Sequence, residues 1–386
     1  MNILDEKAFI ESVRKLNEKS FKPGERNNPE VLDSHDFRYL KSGEFSANLH
    51  IHTNHSDGSM SVKELLYSAK EITEKYNKDF LFAITDHDTI NGTKEALELS
   101  KQKEFKNLNV TFGVEISTVA IDFPQQKKPL QIHLLVYGID PFDKRLNEYL
   151  KDKRNLKLQL AKDTIKKLNE KLPGYNFNLE EASKCHIMIK KGQDEVAHPL
   201  KKYTSGKILL SYYYPNANFS YEEPIKKYKY LFKGQEPYHQ IYKKALEMYT
   251  QSSLPAIPDE IEQKIQIART IYLQSHPSIG NMLEAFSSFE EAVDFITTIK
   301  SGVMSIAHPA RTKAYCPEFY TYLFEKFKKY GHEKALFYEG YYQSYEGRYF
   351  IEWSDKIDNA ASKFNLLKTG GLDSHGKDLI TRCPYT

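Results

Sequence analysis

Histidines and carboxylates recur in this sequence at spacings that suit metal ligation. His50-x-His52 leads into Thr53-Asn54-His55-Ser56-Asp57-Gly58. Further along come Thr85-Asp86-His87-Asp88-Thr89, Gly113-Val114-Glu115, His133, Ala307-His308-Pro309 and Gly371-Leu372-Asp373-Ser374-His375-Gly376. In an extended segment, residues two apart point to the same side. His50 and His52 can therefore grip one ion together, and so can Asp373 and His375. Neutral imidazoles with a few carboxylates suit borderline divalent ions such as Zn²⁺, Mn²⁺ or Fe²⁺. Nine such groups exceed what one ion can use. Two or three ions bridged by a carboxylate would employ them all, and Glu115 is the natural bridge. Sites of this kind clamp a phosphoryl group and generate hydroxide from bound water at neutral pH. Any one of these histidines, taken alone, is better read as a packed or surface residue.

The elements that must position these groups alternate. Seven short apolar runs read as strands, at 46–52, 80–85, 110–116, 131–138, 303–308, 335–341 and 366–372. Helical periodicity follows several of them, at 61–76, 92–102, 317–330 and 351–363. Continuous apolar strands alternating with helices predict a parallel sheet covered on both faces, either a barrel or a doubly wound sheet. In either, the C-terminal strand ends share one edge, where the metal-type residues would converge. The alternation stops between Asp140 and about Ser287, where 143–172, 236–251 and 259–275 read as helices. Residues 141–244 hold 22 Lys+Arg against 12 Asp+Glu, so this segment carries +10 and the remainder −7 of the net +3. An amphipathic helix is expected over 3–20, closed by a Pro/Gly/Asn-rich stretch.

The 386 residues allow two or three domains or one large α/β domain with insertions, and 40% hydrophobic content excludes a disordered chain. Cys185, Cys316 and Cys383 are too few and too scattered for a disulfide framework or a thiolate zinc site. The charged N-terminus lacks the apolar stretch of a signal peptide, and no apolar run approaches the ~20 residues that span a bilayer. A cytoplasmic location, without a membrane partner, is the expectation.

Taken in order, H-x-H-T-x-x-S-D-G, T-D-H-D-T, G-V-E, H-L-L-V-Y-G, A-H-P-x-R and G-G-L-D-S-H-G resemble the motifs of PHP-domain metal-dependent phosphoesterases. The nearest branch hydrolyses nucleoside 3′,5′-bisphosphates and short RNA. The resemblance covers roughly 45–140 and 288–378. The large, mainly helical insertion at 141–287, read as a lid, and an N-terminal extension at 1–44 lie outside it. It implies an α/β fold, a distorted seven-stranded (β/α) barrel of PHP type, here in two parts at 45–140 and 288–386. It also implies a trinuclear site. His50, His52, Glu115 and Asp373 would hold the first ion. Glu115 would bridge to a second ion shared with His133 and His308, and Asp57, His87 and His375 would hold the third. A metal-bridging hydroxide would attack phosphorus, and Arg311 of A-H-P-x-R would bind phosphate.

Asn48 stands where the family commonly has Asp, and a second Ala-His-Pro occurs at Ala197-His198-Pro199. His308 follows the apolar run Val303-Met304-Ser305-Ile306 and is assigned to metal, whereas His198 follows polar residues. His198 is a candidate for binding substrate phosphate or protonating the leaving group, against an ordinary exposed histidine. His55 could assist the site or face solvent. Asp86 and Asp88 could orient imidazoles or serve turn chemistry. The insertion is basic and rich in tyrosine, as in Lys226-Lys227-Tyr228-Lys229-Tyr230, which suits a phosphate backbone and stacked bases but equally a solvated helical face with tyrosines in its core. The expected substrate is a phosphorylated small molecule or nucleotide, extending to short single strands. The rival readings are a histidinol-phosphate-type phosphatase and a non-catalytic, metal-stabilised nucleic-acid-binding module.

Overall fold

The computed structural model describes residues 15, 45–77, 79–120, 130–185, 187–193, 196–213, 215, 255–275, 286–311, 318–342, 351–376 and 379. The helices expected over 3–20 and 236–251 and the Lys/Tyr run at 226–230 lie outside them, apart from Lys15.

All seven expected strands are present as β1 (Phe45–Ile51), β2 (Asp79–Ile84), β3 (Asn109–Ala120), β4 (Leu130–Tyr137), β6 (Val303–Ile306), β7 (Ala335–Tyr342) and β8 (Leu367–Gly371), with a two-residue β5 (Ser287–Ser288) besides. The sheet runs β1-β2-β3-β4-β6-β7-β8, and β5 pairs with β3 off this path. His52 N donates to Ser374 O (2.8 Å) and Ser374 N to His50 O (3.0 Å), so the two ends of the sheet meet and it curls into a nearly closed, seven-stranded barrel.

The sheet is mixed, which corrects the parallel expectation: β4 runs antiparallel to both β3 and β6. The cause is the connection. Only residues 121–129 separate β3 from β4, and a parallel return needs a crossover of about a dozen residues or more. Reversal has a useful result. His133, near the start of β4, pairs with Ser117 beyond Glu115 on β3, so it sits with the C-terminal ends of the parallel strands.

Helices α1 (Val62–Tyr76), α2 (Asn91–Leu99), α8 (Phe289–Thr298), α9 (Glu318–Gly331) and α10 (Ile351–Ser362) belong to the barrel unit. Ser61 and Glu64 form a capping box at the start of α1, and Val62, Leu65, Leu66 and Ala69 make its buried stripe. A second capping box, Ser288 with Glu291, starts α8. Two apolar layers result. The outer one packs helix residues such as Leu65, Phe289 and Phe324 on the sheet. The inner one is made mainly by strands, with Ala47, Leu49, Leu81, Leu135, Tyr137 and Phe337. Each fully buried Leu or Phe contributes about 1.5–3 kcal/mol.

The chain divides into two compact units, residues 1–151 with 287–386, and 152–286. α3 (Lys144–Lys171) passes from one into the other. The second unit, considered by itself, is helical, with α4 (Leu179–Cys185), α5 (Ile187–Lys191), α6 (Ala197–Tyr213) and α7 (Asp259–Ser275). Tyr203 and Tyr272 are buried in it, and Tyr272 OH donates to Leu200 O at 2.7 Å. No helix among the described residues is long and apolar enough to cross a membrane.

Candidate metal centre

Strand geometry aims the donors. The register of β1 against β2 slips between Asn48 and Ile51. Such a bulge re-aims the side chains beyond it: Ala47 and Leu49 belong to the inner layer, whereas Ile51 belongs to the outer one. His50 and His52 thereby turn inward. Ser56 N and Gly58 N both donate to Thr53 O, folding the following loop back over the strand. A Cβ at Gly58 would lie 2.1 Å from His52 O, so only glycine allows this approach. Two donors, His308 (φ 26°) and Asp373 (φ 50°), occupy left-handed backbone, as does Asp88 (φ 49°) beside His87. Strain of this kind collects at functional sites.

All nine metal-type residues are brought to one end of the barrel. His50 Nε2 lies 3.0 Å from Glu115 Oε2, 3.1 Å from His52 Nε2 and 3.4 Å from Asp373 Oδ1. His52 Nε2 is 3.1 Å from both Glu115 Oε2 and Asp373 Oδ1. Glu115 Oε1 faces His133 Nδ1 at 2.7 Å and His308 Nε2 at 3.2 Å, while Oε2 faces His87 Nδ1 at 3.2 Å. Asp57 Oδ2 is 3.0 Å from His375 Nε2 and 3.8 Å from His87 Nε2. Three groups of donors are tight enough to hold an ion: His50, His52, Glu115 and Asp373; His87, Glu115 and His133; and His52, Asp57, His87 and His375. Each pair of groups shares one residue, so Glu115, His52 and His87 form the corners of a triangle. His308 adjoins these groups through Glu115 Oε1, and its ring stacks on His50 with centroids 5.6 Å apart.

This donor set fits divalent cations. Imidazole nitrogens and carboxylate oxygens crowd within about 3 Å, which a cation or extra protons must mediate. Asp57 Oδ1 is buried and accepts no hydrogen bond, a cost that a bound cation would remove. Burial disfavours the charged forms; at His50 and His375 the facing carboxylates win, whereas at His308 burial wins and holds it below its usual range. Glu115, Glu339 and Asp373 hold His50 well above its usual range, and Asp57 and Asp373 push His375 up to about 10. The same contacts hold Asp57, Glu115 and Asp373 below the ordinary carboxylate range despite burial.

The remaining candidates fall around this cluster. Arg311 Nη1 donates to Asp373 Oδ2 at 2.8 Å, and its side chain is 39% exposed. His55 Nε2 pairs with Glu95 Oε2 at 2.6 Å. Asp86 accepts from Thr53 N, Thr53 Oγ1 and Ser56 Oγ, and Asp88 accepts from Ser117 N and Oγ, so both anchor loop and strand backbone. His198 is the second residue of α6, and its side chain lies outside the described residues.

Two residues escaped the sequence reading. Gln131 Nε2 lies 2.9 Å from His133 Nε2. Glu339, buried on β7, faces His50 Nδ1 with both oxygens (3.1 and 3.2 Å) and accepts from His308 N at 2.7 Å. β7 carries none of the motifs, and a carboxylate inside an otherwise apolar run is the signal the sequence offers for it.

No protein-family model matches the chain, and no curated protein matches it. Among solved structures, similar ones include a candidate metal-dependent phosphoesterase from Bifidobacterium adolescentis (18% identity, TM-score 0.49, covering 89% of this chain and 93% of that one). An amidohydrolase from Chromobacterium violaceum, with bound sulfate and no metal, gives 19% identity and a TM-score of 0.49 over 88% of this chain and 93% of that one.

Proposed function

We propose that the chain is a metal-dependent phosphoesterase of the PHP superfamily, hydrolysing phosphate esters of nucleotides or short single strands. The observation that supports this best is the triangle of donor groups joined at Glu115, His52 and His87. Two or three Mn²⁺, Zn²⁺ or Fe²⁺ ions would be held by His50, His52, Asp57, His87, Glu115, His133, His308, Asp373 and His375. Divalent ions in such a site supply activated water and polarise phosphoryl oxygens.

The chain's own residues do the rest. Glu115 engages imidazoles with both oxygens and fixes the spacing between groups. Asp373 divides its carboxylate, Oδ1 toward His50 and His52 and Oδ2 toward Arg311. Arg311 thereby lies beside the donor cluster, with a planar fork suited to a phosphate oxygen pair.

The test is metal content of protein purified without chelator, together with Mn²⁺-supplemented phosphate release from adenosine 3′,5′-bisphosphate, histidinol phosphate and a short oligoribonucleotide. Two to three metals per chain, with turnover of the bisphosphate or the oligomer, is the expected result. Turnover of histidinol phosphate alone would assign a small-molecule phosphatase. Metal without turnover would favour a binding module. A chain that binds no metal would refute the reading.

A further inference from the structure

Glu339 stands apart from the nine donors, yet it touches two of them from behind. It is 1% exposed, its Oε1 and Oε2 lie 3.1 and 3.2 Å from His50 Nδ1, and its Oε2 also accepts from the backbone N of His308 at 2.7 Å. A carboxylate only accepts, so the Nδ1 facing it keeps its proton and Nε2 is the nitrogen left to offer a lone pair to a cation. That Nε2 is the atom facing His52, Glu115 and Asp373. His308 is held in turn at φ 26°, a backbone conformation that needs support, with its Nε2 facing Glu115 Oε1 at 3.2 Å. One buried carboxylate on β7 thus constrains imidazoles from β1 and from the end of β6.

The fit is tight on the far side as well. A Cβ added at Gly371 would fall 2.4 Å from His50 Cβ and 2.6 Å from Glu339 Oε1. No side chain can stand between β8 and this pair.

We propose that Glu339 is a positioning residue of the metal centre, selecting the His50 tautomer and fixing the His308 backbone so that both rings present Nε2 to the cations. The proposal rests on the reading of the cluster as a metal site. Carboxylates placed behind ligating histidines typically account for 10–100-fold in metal affinity.

The experiment titrates metal-stripped protein with Mn²⁺ for wild type, Glu339→Gln, His50→Ala and the double variant, and records the thermal midpoint of each metal-free protein. Glu339→Gln should weaken Mn²⁺ binding about 10–100-fold. In the His50→Ala background the same change should cost less, because part of its effect passes through His50. Should Glu339→Gln fail to fold, Glu339→Asp carries the test: its carboxylate is retracted by one methylene, and Mn²⁺ binding should weaken in the same direction. Unchanged Mn²⁺ affinity in a folded variant would overturn the proposal, whatever happens to its thermal midpoint. Fully multiplicative losses in the double variant would do the same. A wild-type chain that binds no Mn²⁺ would overturn the metal reading itself, and this role with it.

Discussion

Asn48 sits at the bulge that turns His50 and His52 inward, and its amide has a partner on every side. Nδ2 donates to Ser374 Oγ and to Leu379 O, both at 3.0 Å, while Oδ1 accepts from His50 N (3.2 Å) and Leu372 N (3.1 Å). The PHP-type motif that this segment resembles commonly has Asp at this point. Here a carboxylate could accept the two backbone bonds but could donate neither of the others, and it would face the Leu379 carbonyl. Asn48→Asp should therefore destabilise the protein by about 1–3 kcal/mol, seen as a lower denaturation midpoint. An unchanged midpoint would mean that Asn48 is replaceable at the bulge. Residues in contiguous motifs were legible at this scale because type and spacing together carry the signal. Glu339 was not, since nothing in Phe337-Tyr338-Glu339-Gly340 reveals that its partner lies 289 residues away.

Among elements, strands were easier to read than their directions. An apolar run of the length of β4 looks the same whether it runs up or down the sheet, and only the short connection before it discriminates. The two-residue β5 leaves no periodic trace, yet it pairs Thr118 and Val119 of β3 with Ser287 and Ser288 just where α8 begins. Ser288 consequently serves both elements, as a strand partner through its backbone and as the helix cap through its hydroxyl, which accepts from Glu291 N at 3.1 Å. Ser288→Ala keeps the first role and removes the second. The expected cost is about 1 kcal/mol, or a fall of about 2–4 °C in the melting temperature for a unit of this size. A shift of the same size in Glu291→Ala would identify the reciprocal cap as the source, whereas no shift in either would show that the box adds nothing.

On the scale of the whole molecule, every candidate metal ligand belongs to the unit made of residues 1–151 and 287–386. Chelation should register there by loss of a stabilising ligand. Hydrogen exchange followed by mass spectrometry, with and without chelator, should show peptides of β1, β3 and β8 losing protection while those of α6 and α7 change little. Equal loss in both sets would mean that metal binding stabilises more than the barrel unit. The existence of an interruption was legible from the break in strand–helix alternation. The packing inside it was not, because buried groups such as Thr164 and Ser275, which meet at 3.2 Å, are 111 residues apart in sequence.

The junction of β1 with the segment after β8 also bears on how the chain is made. During synthesis, six of the nine donors, from His50 to His133, emerge before the helical unit, and His308, Asp373 and His375 only after it. Until Ser374 arrives to bond the backbone of His50 and His52, β1 is an edge strand with its hydrogen-bonding groups unsatisfied on that side. The growing chain thus carries, through the whole synthesis of the helical unit, an incomplete set of candidate metal ligands beside an open sheet edge, which exposes it to wrong strand partners.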